Sequence, residues 1–299
     1  MTDLATPPKT YTPTPVRSRF ALGNRERNLI TKVIAYLVLI LGAIVMIVPF
    51  FWMVSTSLKD STSIFILPPE WIPLQPTLKN YEEAWDVAML PRGFVNSTFI
   101  AVTSTIGEVF ASMLAGFAFA RMRFPGRNAL FGILLVTMMI PGVVMLVPSF
   151  ILFTQLGWVN TWSPLIIPVL FGTPFAVFLS RQYFATLPAD LEDAAKVDGA
   201  NYFQTFLFVF LPLARPIMAT LFVLGFIARW NDFIGPLIYL RSTELYPIPL
   251  LLARLNSLYE QNWTLLMAGA TLALLPILFL FFLLQRYFVE SVALTGIKG

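Results

Sequence analysis

Leu187-Pro-Ala-Asp-Leu-Glu-Asp-Ala-Ala-Lys-Val-Asp-Gly-Ala-Asn-Tyr-Phe-Gln-Thr-Phe206 interrupts a run of apolar segments with a compact set of helix signals. Pro188 stands where a helix can open. Asp190, Glu192 and Asp193 follow in its first turns, where carboxylates complement the positive helix end. Ala194 and Ala195 favour helix and carry little bulk. Gly199 supplies a stop, because it enters the left-handed region without a Cβ penalty. Asn201 can cap a second helix, on which Phe203, Phe206, Leu207 and Phe210 form an apolar stripe. Leu211-Pro212 then leads into the next apolar run. The spacing predicts a short helix, a glycine turn and a second helix. On spacing alone, two readings stay open: a docking unit, or a hairpin that only connects its neighbours.

The rest of the chain says where this unit hangs. Of 299 residues, 57% are hydrophobic and 12% charged, against roughly 25% charged in ordinary soluble domains. That excludes a cytosolic enzyme, a secreted disulfide scaffold and a disordered protein. Cysteine and histidine are both absent, which removes disulfides, zinc clusters and imidazole chemistry; no catalytic or metal-ligating set is expected. A bilayer-spanning helix needs ~20 mostly apolar residues. Six stretches qualify or nearly so: 33–54, 95–120, 129–153, 165–179, 217–240 and 265–288, the fourth being the shortest and open to extension at either end. The expected fold is therefore all-α and polytopic, with a tail over 1–28, a membrane domain over 29–299 and the polar loop at 182–215. Pro49, Pro141, Pro148 and Pro276 fall inside the spans and are expected to kink them without breaking them.

Fourteen of the twenty lysines and arginines cluster on one side. They lie at the N-terminus (Lys9, Arg17, Arg19, Arg25, Arg27, Lys32), after the second span (Arg121, Arg123, Arg127), after the fourth (Arg181, Lys196, Arg215) and at the C-terminus (Arg286, Lys298). Lys59, Lys79, Arg92, Arg241 and Arg254 lie on the other side. The positive-inside rule places both termini and the 182–215 loop in the cytoplasm. The net charge of +4 then points to the bilayer surface and not to nucleic acid. The first span is too long for a cleaved signal peptide.

The polar loop resembles the EAA loop of ABC importer permeases. Asp193-Ala194-Ala195, then Asp198-Gly199-Ala200 and Leu211-Pro212 follow that pattern, with Asp193 where the family usually has Glu and Glu192 beside it. Arg181-Gln-Tyr-Phe, Ala120-Arg121, Phe124-Pro-Gly-Arg127, Trp230-Asn231-Asp232-Phe233 and the terminal Leu294-Thr-Gly-Ile-Lys-Gly resemble carbohydrate-uptake permeases of the maltose type. The resemblance implies a permease subunit that moves a sugar or sugar-like solute across the bacterial or archaeal inner membrane. It implies a second homologous permease, two ATPase subunits and an extracytoplasmic solute-binding protein. Residues 188–200 are then the coupling helix, with Glu192, Asp193, Ala194, Ala195, Asp198, Gly199, Ala200 and Pro212 as its motif positions. Thr295, Gly296 and Lys298 are expected to reach the ATPase. The chain has no Gly-x-x-x-x-Gly-Lys-Ser/Thr loop, so ATP and Mg are expected in partner chains and no cofactor in this one.

Ionisable residues inside a membrane are costly and point to function or to pairing. Glu108 lies mid-way along the second span; Arg229 and Asp232 lie in the fifth, three residues apart. Arg229 and Glu108 are expected to be structural, with Arg229 paired to Glu108 or Asp232. Trp230, Asn231 and Asp232 are expected near the solute path, where amide, carboxylate and ring suit a sugar. Two other classes compete. An ion-coupled secondary transporter usually shows internal repeats, and none is visible here. An intramembrane enzyme would lack its usual thiol or metal residues.

Overall fold

The computed structural model describes residues 24–64, 66–258 and 262–296, with side chains described over 29–256 and 262–285 within those ranges. All the described elements are helical. In chain order they are α1 Asn24–Ser57, α2 Lys79–Val87, α3 Leu90–Arg121, α4 Arg127–Thr137, α5 Leu146–Gln155, α6 Ser163–Leu170, α7 Pro174–Thr186 and α8 Asp190–Val197. They continue with α9 Tyr202–Gln204, a π-helical turn Thr205–Phe210, α10 Leu211–Leu213, α11 Arg215–Trp230, α12 Ile234–Tyr239, α13 Ile248–Leu258 and α14 Trp263–Gly296. The chain divides into two compact units, Met1–Phe51 and Trp52–Gly299. In the first, every residue from Leu29 to Phe51 is exposed. A helix apolar on all sides has no aqueous face, so this surface suits a bilayer interior. The expected tail lies outside the described residues up to position 23; α1 already runs from Asn24.

In the second unit α3 is the central post, packed on α7, α11 and α6. Small residues set the spacing. A Cβ on Gly116 would lie 2.4 Å from Ser180 Cβ and 2.8 Å from the Arg181 amide nitrogen, so α3 and α7 touch backbone to backbone there. Below that contact sits an aromatic cluster. Phe117 meets Phe184, Phe206 and Phe210 at ring-centroid distances of 5.8, 5.4 and 5.1 Å, in edge-on or tilted geometries. Phe206 and Phe210 are fully buried, whereas Phe203 is exposed. Leu207 packs against the same cluster, so three of the four stripe residues point inward, along a turn that widens to a π-helix after Gln204.

Among the described residues, four helices are long and apolar enough to cross a membrane, or up to six segments if each of two sharply bent pairs is one span. The third expected span is not kinked but broken: α4 stops at Thr137, the chain resumes at Gly142, and the halves meet at 91°. Pro141 offers no amide and pushes Ile140 away from helical angles, and Gly142 after it is a poor helix former. Pro148 falls in the first turn of α5, where its missing amide removes no bond. Pro49 and Pro276 sit inside continuous helices. The fourth span is interrupted at Gly172, which takes φ +90 ahead of Pro174. The fifth expected span ends early, at Trp230, and restarts as α12.

Two further helices, α2 and α13, lie between the expected spans. Tyr81, Ala84 and Ala88 of the α2 region pack with Leu90, Leu255 and Leu265. Ile248, Leu251 and Leu255 are the buried side of α13. Both sets follow the i, i+3, i+7 spacing of one face of an amphipathic helix, so the signal was present in the sequence.

Candidate functional site

The polar loop forms a built unit. α7 ends at Thr186, and Leu187 is extended ahead of Pro188 as proline requires. Arg121, at the end of α3, holds this exit by donating to the carbonyl oxygens of Phe184, at 2.5 Å, and Leu187. α8 follows, with Asp190, Glu192 and Asp193 in its first turn. Glu192 bonds Lys196 at 2.7 Å, which holds the ammonium above its ordinary pKa, and Asp193 lies 3.8 Å from the same nitrogen. Gly199 takes φ +80 and closes the helix, with the Ala200 amide donating to Ala195 O at 2.9 Å. Asn201 and Gln204 then form a reciprocal capping box.

The faces of α8 are distinct. Leu191 packs on the aromatic cluster and Ala195 is 4% exposed, so both face the chain itself. Ala195, one of the motif positions of the expected coupling helix, is buried in this chain on the side of α8 that meets the π-helical turn. Asp190, Asp193, Ala194 and Val197 share the opposite face and are all exposed. Val197 is 87% exposed, an apolar side chain at the outer end of a short helix that sequence reading passed over. Asp198, Gly199 and Pro212 are also exposed, and Ala200 and Glu192 are half-buried. Among the described residues, nothing beyond its two chain neighbours lies within 4 Å of a Cβ built on Gly199. Thr295 and Gly296 close α14; Lys298 lies outside the described residues.

A second polar locus lies inside the helix packing. Glu108 on α3 is 6% exposed. Its carboxylate pairs with Arg229 on α11 at 2.8 Å and accepts from the Thr173 hydroxyl at 2.6 Å. Thr173 also caps α7 through its side-chain oxygen. Arg229 donates to Gly225 O at 2.8 Å. One carboxylate therefore joins three helices. The Arg229 Nε and the hydroxyls of Thr105 and Ser112 are buried, with no hydrogen-bond partner among the described residues. Asp232 does not share this pair: its carboxylate accepts from the Gly235 amide at 3.1 Å and caps α12.

Trp230 was expected at the solute path and is instead core. It is 2% exposed, stacks on Phe226 at 5.3 Å and donates its indole N–H to Ala273 O at 3.0 Å. Asn231 is exposed and Asp232 half-buried, both in the break between α11 and α12. The far ends of the helices are tied by a residue that sequence reading missed. Asn160, in the left-handed region, donates its amide to Tyr239 O at 2.7 Å, and its side-chain oxygen accepts from Arg241 and Ser242. Asn tolerates that backbone, which was the available signal. Among the described residues no group of three or more Asp, Glu, His or Cys side chains is placed to hold a metal.

Residues 109–294 match the family described as the binding-protein-dependent transport system inner membrane component. This chain belongs to that family. Among its relatives are the arabinooligosaccharides transport system permease protein AraQ of Halalkalibacterium halodurans, 34% identical over 82% of this chain and 86% of the relative, and the lactose transport system permease protein LacG of Rhizobium radiobacter, 33% identical over 89% and 96%. The sn-glycerol-3-phosphate transport system permease protein UgpE of Agrobacterium fabrum is 32% identical over 90% and 99%. The fold matches a chain in the crystal structure of a bacterial ABC transporter involved in the import of the acidic polysaccharide alginate, with a TM-score of 0.77, 22% identity, and 92% of this chain and 100% of that one covered. The chain is thus an all-α, multi-pass inner-membrane permease of an ABC importer.

Proposed function

We propose that this permease forms half of the path for a sugar or sugar-like solute and couples to separate ATPase subunits through the α8–Gly199 unit. The observation that carries the reading is the outward face of α8: carboxylates, small side chains and the bare Val197, standing on an aromatic cluster continuous with α3 and α7. An apolar group so exposed at a rigid helix end suits a protein partner. The substrate class draws on the relatives, whose names cite arabinooligosaccharides, lactose and sn-glycerol-3-phosphate. Both termini and α8 lie in the cytoplasm, following the basic residues. A second permease, two ATPases that hold ATP and Mg, and a solute-binding protein complete the assembly.

Asn231 and Asp232 border the path in this reading, at a helix break that frees backbone and side-chain polar groups together. Asp232→Asn and Asn231→Ala should each raise the solute concentration for half-maximal uptake several-fold, with the complex still assembled. Uptake by proteoliposomes, with and without ATP inside, is the measurement. Unchanged kinetics in both variants would remove the assignment, and uptake that runs on an ion gradient without ATP would remove the ABC reading.

A further inference from the structure

We propose that the cavity where α4 begins holds the phosphodiester of an anionic phospholipid. Arg123, Phe124, Gly126, Arg127, Asn128 and Ala129 line this open cavity of about 410 Å³. It follows directly on α3, at the end of a membrane-crossing helix. Between Glu108 and Asp190 the sequence has no Asp or Glu, yet it has Arg121, Arg123, Arg127 and Arg181. Two of these arginines are engaged within the protein. Arg121 binds the Phe184 and Leu187 carbonyls, and Arg181 lies 4.0 Å over the Phe131 ring. Arg123 and Arg127 line the cavity, and among the described residues no salt bridge involves either. Bonds from Arg127 to Met122 O at 3.2 Å and to the Asn128 side chain at 3.4 Å hold its guanidinium beside the cavity.

The charge alone would suit any small phosphate, since guanidinium planes match phosphate oxygens. The neighbouring surface selects a lipid. Leu130, Ile133 and Val136 of α4 are 51%, 62% and 59% exposed. Their i, i+3, i+6 spacing makes an apolar strip that runs from the cavity along the helix. A headgroup in the cavity with an acyl chain along that strip uses both features; a free anion uses one. Basic pockets beside membrane helices recognise lipid headgroups by this chemistry.

The test uses the intact transporter in nanodiscs of phosphatidylcholine with a minor share of phosphatidylglycerol. The readout is phosphatidylglycerol retained per complex after extraction into detergent, by native mass spectrometry. Arg123→Gln with Arg127→Gln should lower retention by roughly tenfold or more, two charged contacts being lost. Arg123→Lys with Arg127→Lys should keep most of it, which separates lost charge from lost folding. Arg215→Gln, at another exposed arginine, should leave retention at the parent value. Undiminished retention in the glutamine pair would overturn the proposal. So would an equal loss with Arg215→Gln, displacement of the lipid by inorganic phosphate, or release of the ATPase subunits with the lipid still bound.

Discussion

Replacing Arg229 with leucine should cost the folded chain about 3–5 kcal/mol, because it strands the Glu108 carboxylate in the interior without a counter-charge. Glu108 would keep only the Thr173 hydroxyl at 2.6 Å. The loss should reach three elements at once, since the same carboxylate joins α3, α11 and the cap of α7. The measurement is the temperature at which the purified complex loses its monodisperse elution profile. The double variant Glu108→Gln with Arg229→Leu removes the charge together with its partner. It should recover much of the loss, because a neutral pair in an apolar setting pays no ionic desolvation. A single variant as heat-resistant as the parent would show that the pair does not hold the helices. A double variant worse than the sum of the singles would point to a role for the charges beyond packing.

The second large effect is expected at Gly199. Its φ of +80 means that a Cβ there costs on the order of 1 kcal/mol of local strain. Among the described residues, nothing beyond its two chain neighbours lies within 4 Å of a Cβ there, so the chain leaves space for a side chain to start. Gly199→Asp should therefore insert into the membrane and fold. Any severe loss then comes from a partner seated against the turn. Uptake per complex is expected to fall at least about tenfold, equivalent to ~1.4 kcal/mol of lost docking, with the ATPase released or its hydrolysis no longer stimulated by solute. A turn that only connects two spans would give less protein in the membrane with normal activity per complex. Uptake normalised to the amount of assembled transporter distinguishes the two outcomes.

What the sequence showed and what it hid divide along physical lines. The α8 unit was legible because its signals are local: Pro188 ahead of the helix, acidic residues in its first turn, Gly199 at its end and Asn201 capping the next helix. The direction in which each side chain faces was not, because it depends on what packs from elsewhere. Ala195 turned inward once α8 rested on the π-helical turn, and Trp230 found the Ala273 carbonyl 43 residues away. The choice between Glu108 and Asp232 as partner of Arg229 was open for the same reason: proximity in sequence favoured Asp232, and helix packing delivered Glu108. The proline breaks were half legible. Pro141 and Pro276 look alike in an apolar run, but only Pro141 is followed by glycine. α2 and α13 were legible in their spacing and were hidden by the prolines around them.

The central claim is that the outer end of α8 docks into a separate ATPase subunit. The chain has no cysteine, so Val197→Cys introduces one thiol at a position 87% exposed. In membranes holding the whole transporter, a short bifunctional reagent from that thiol should join this chain to the ATPase subunit in high yield, and the yield should change when ATP is bound. Cross-linking absent in both nucleotide states, with the same thiol freely modified by an impermeant reagent from outside the cell, would contradict the claim.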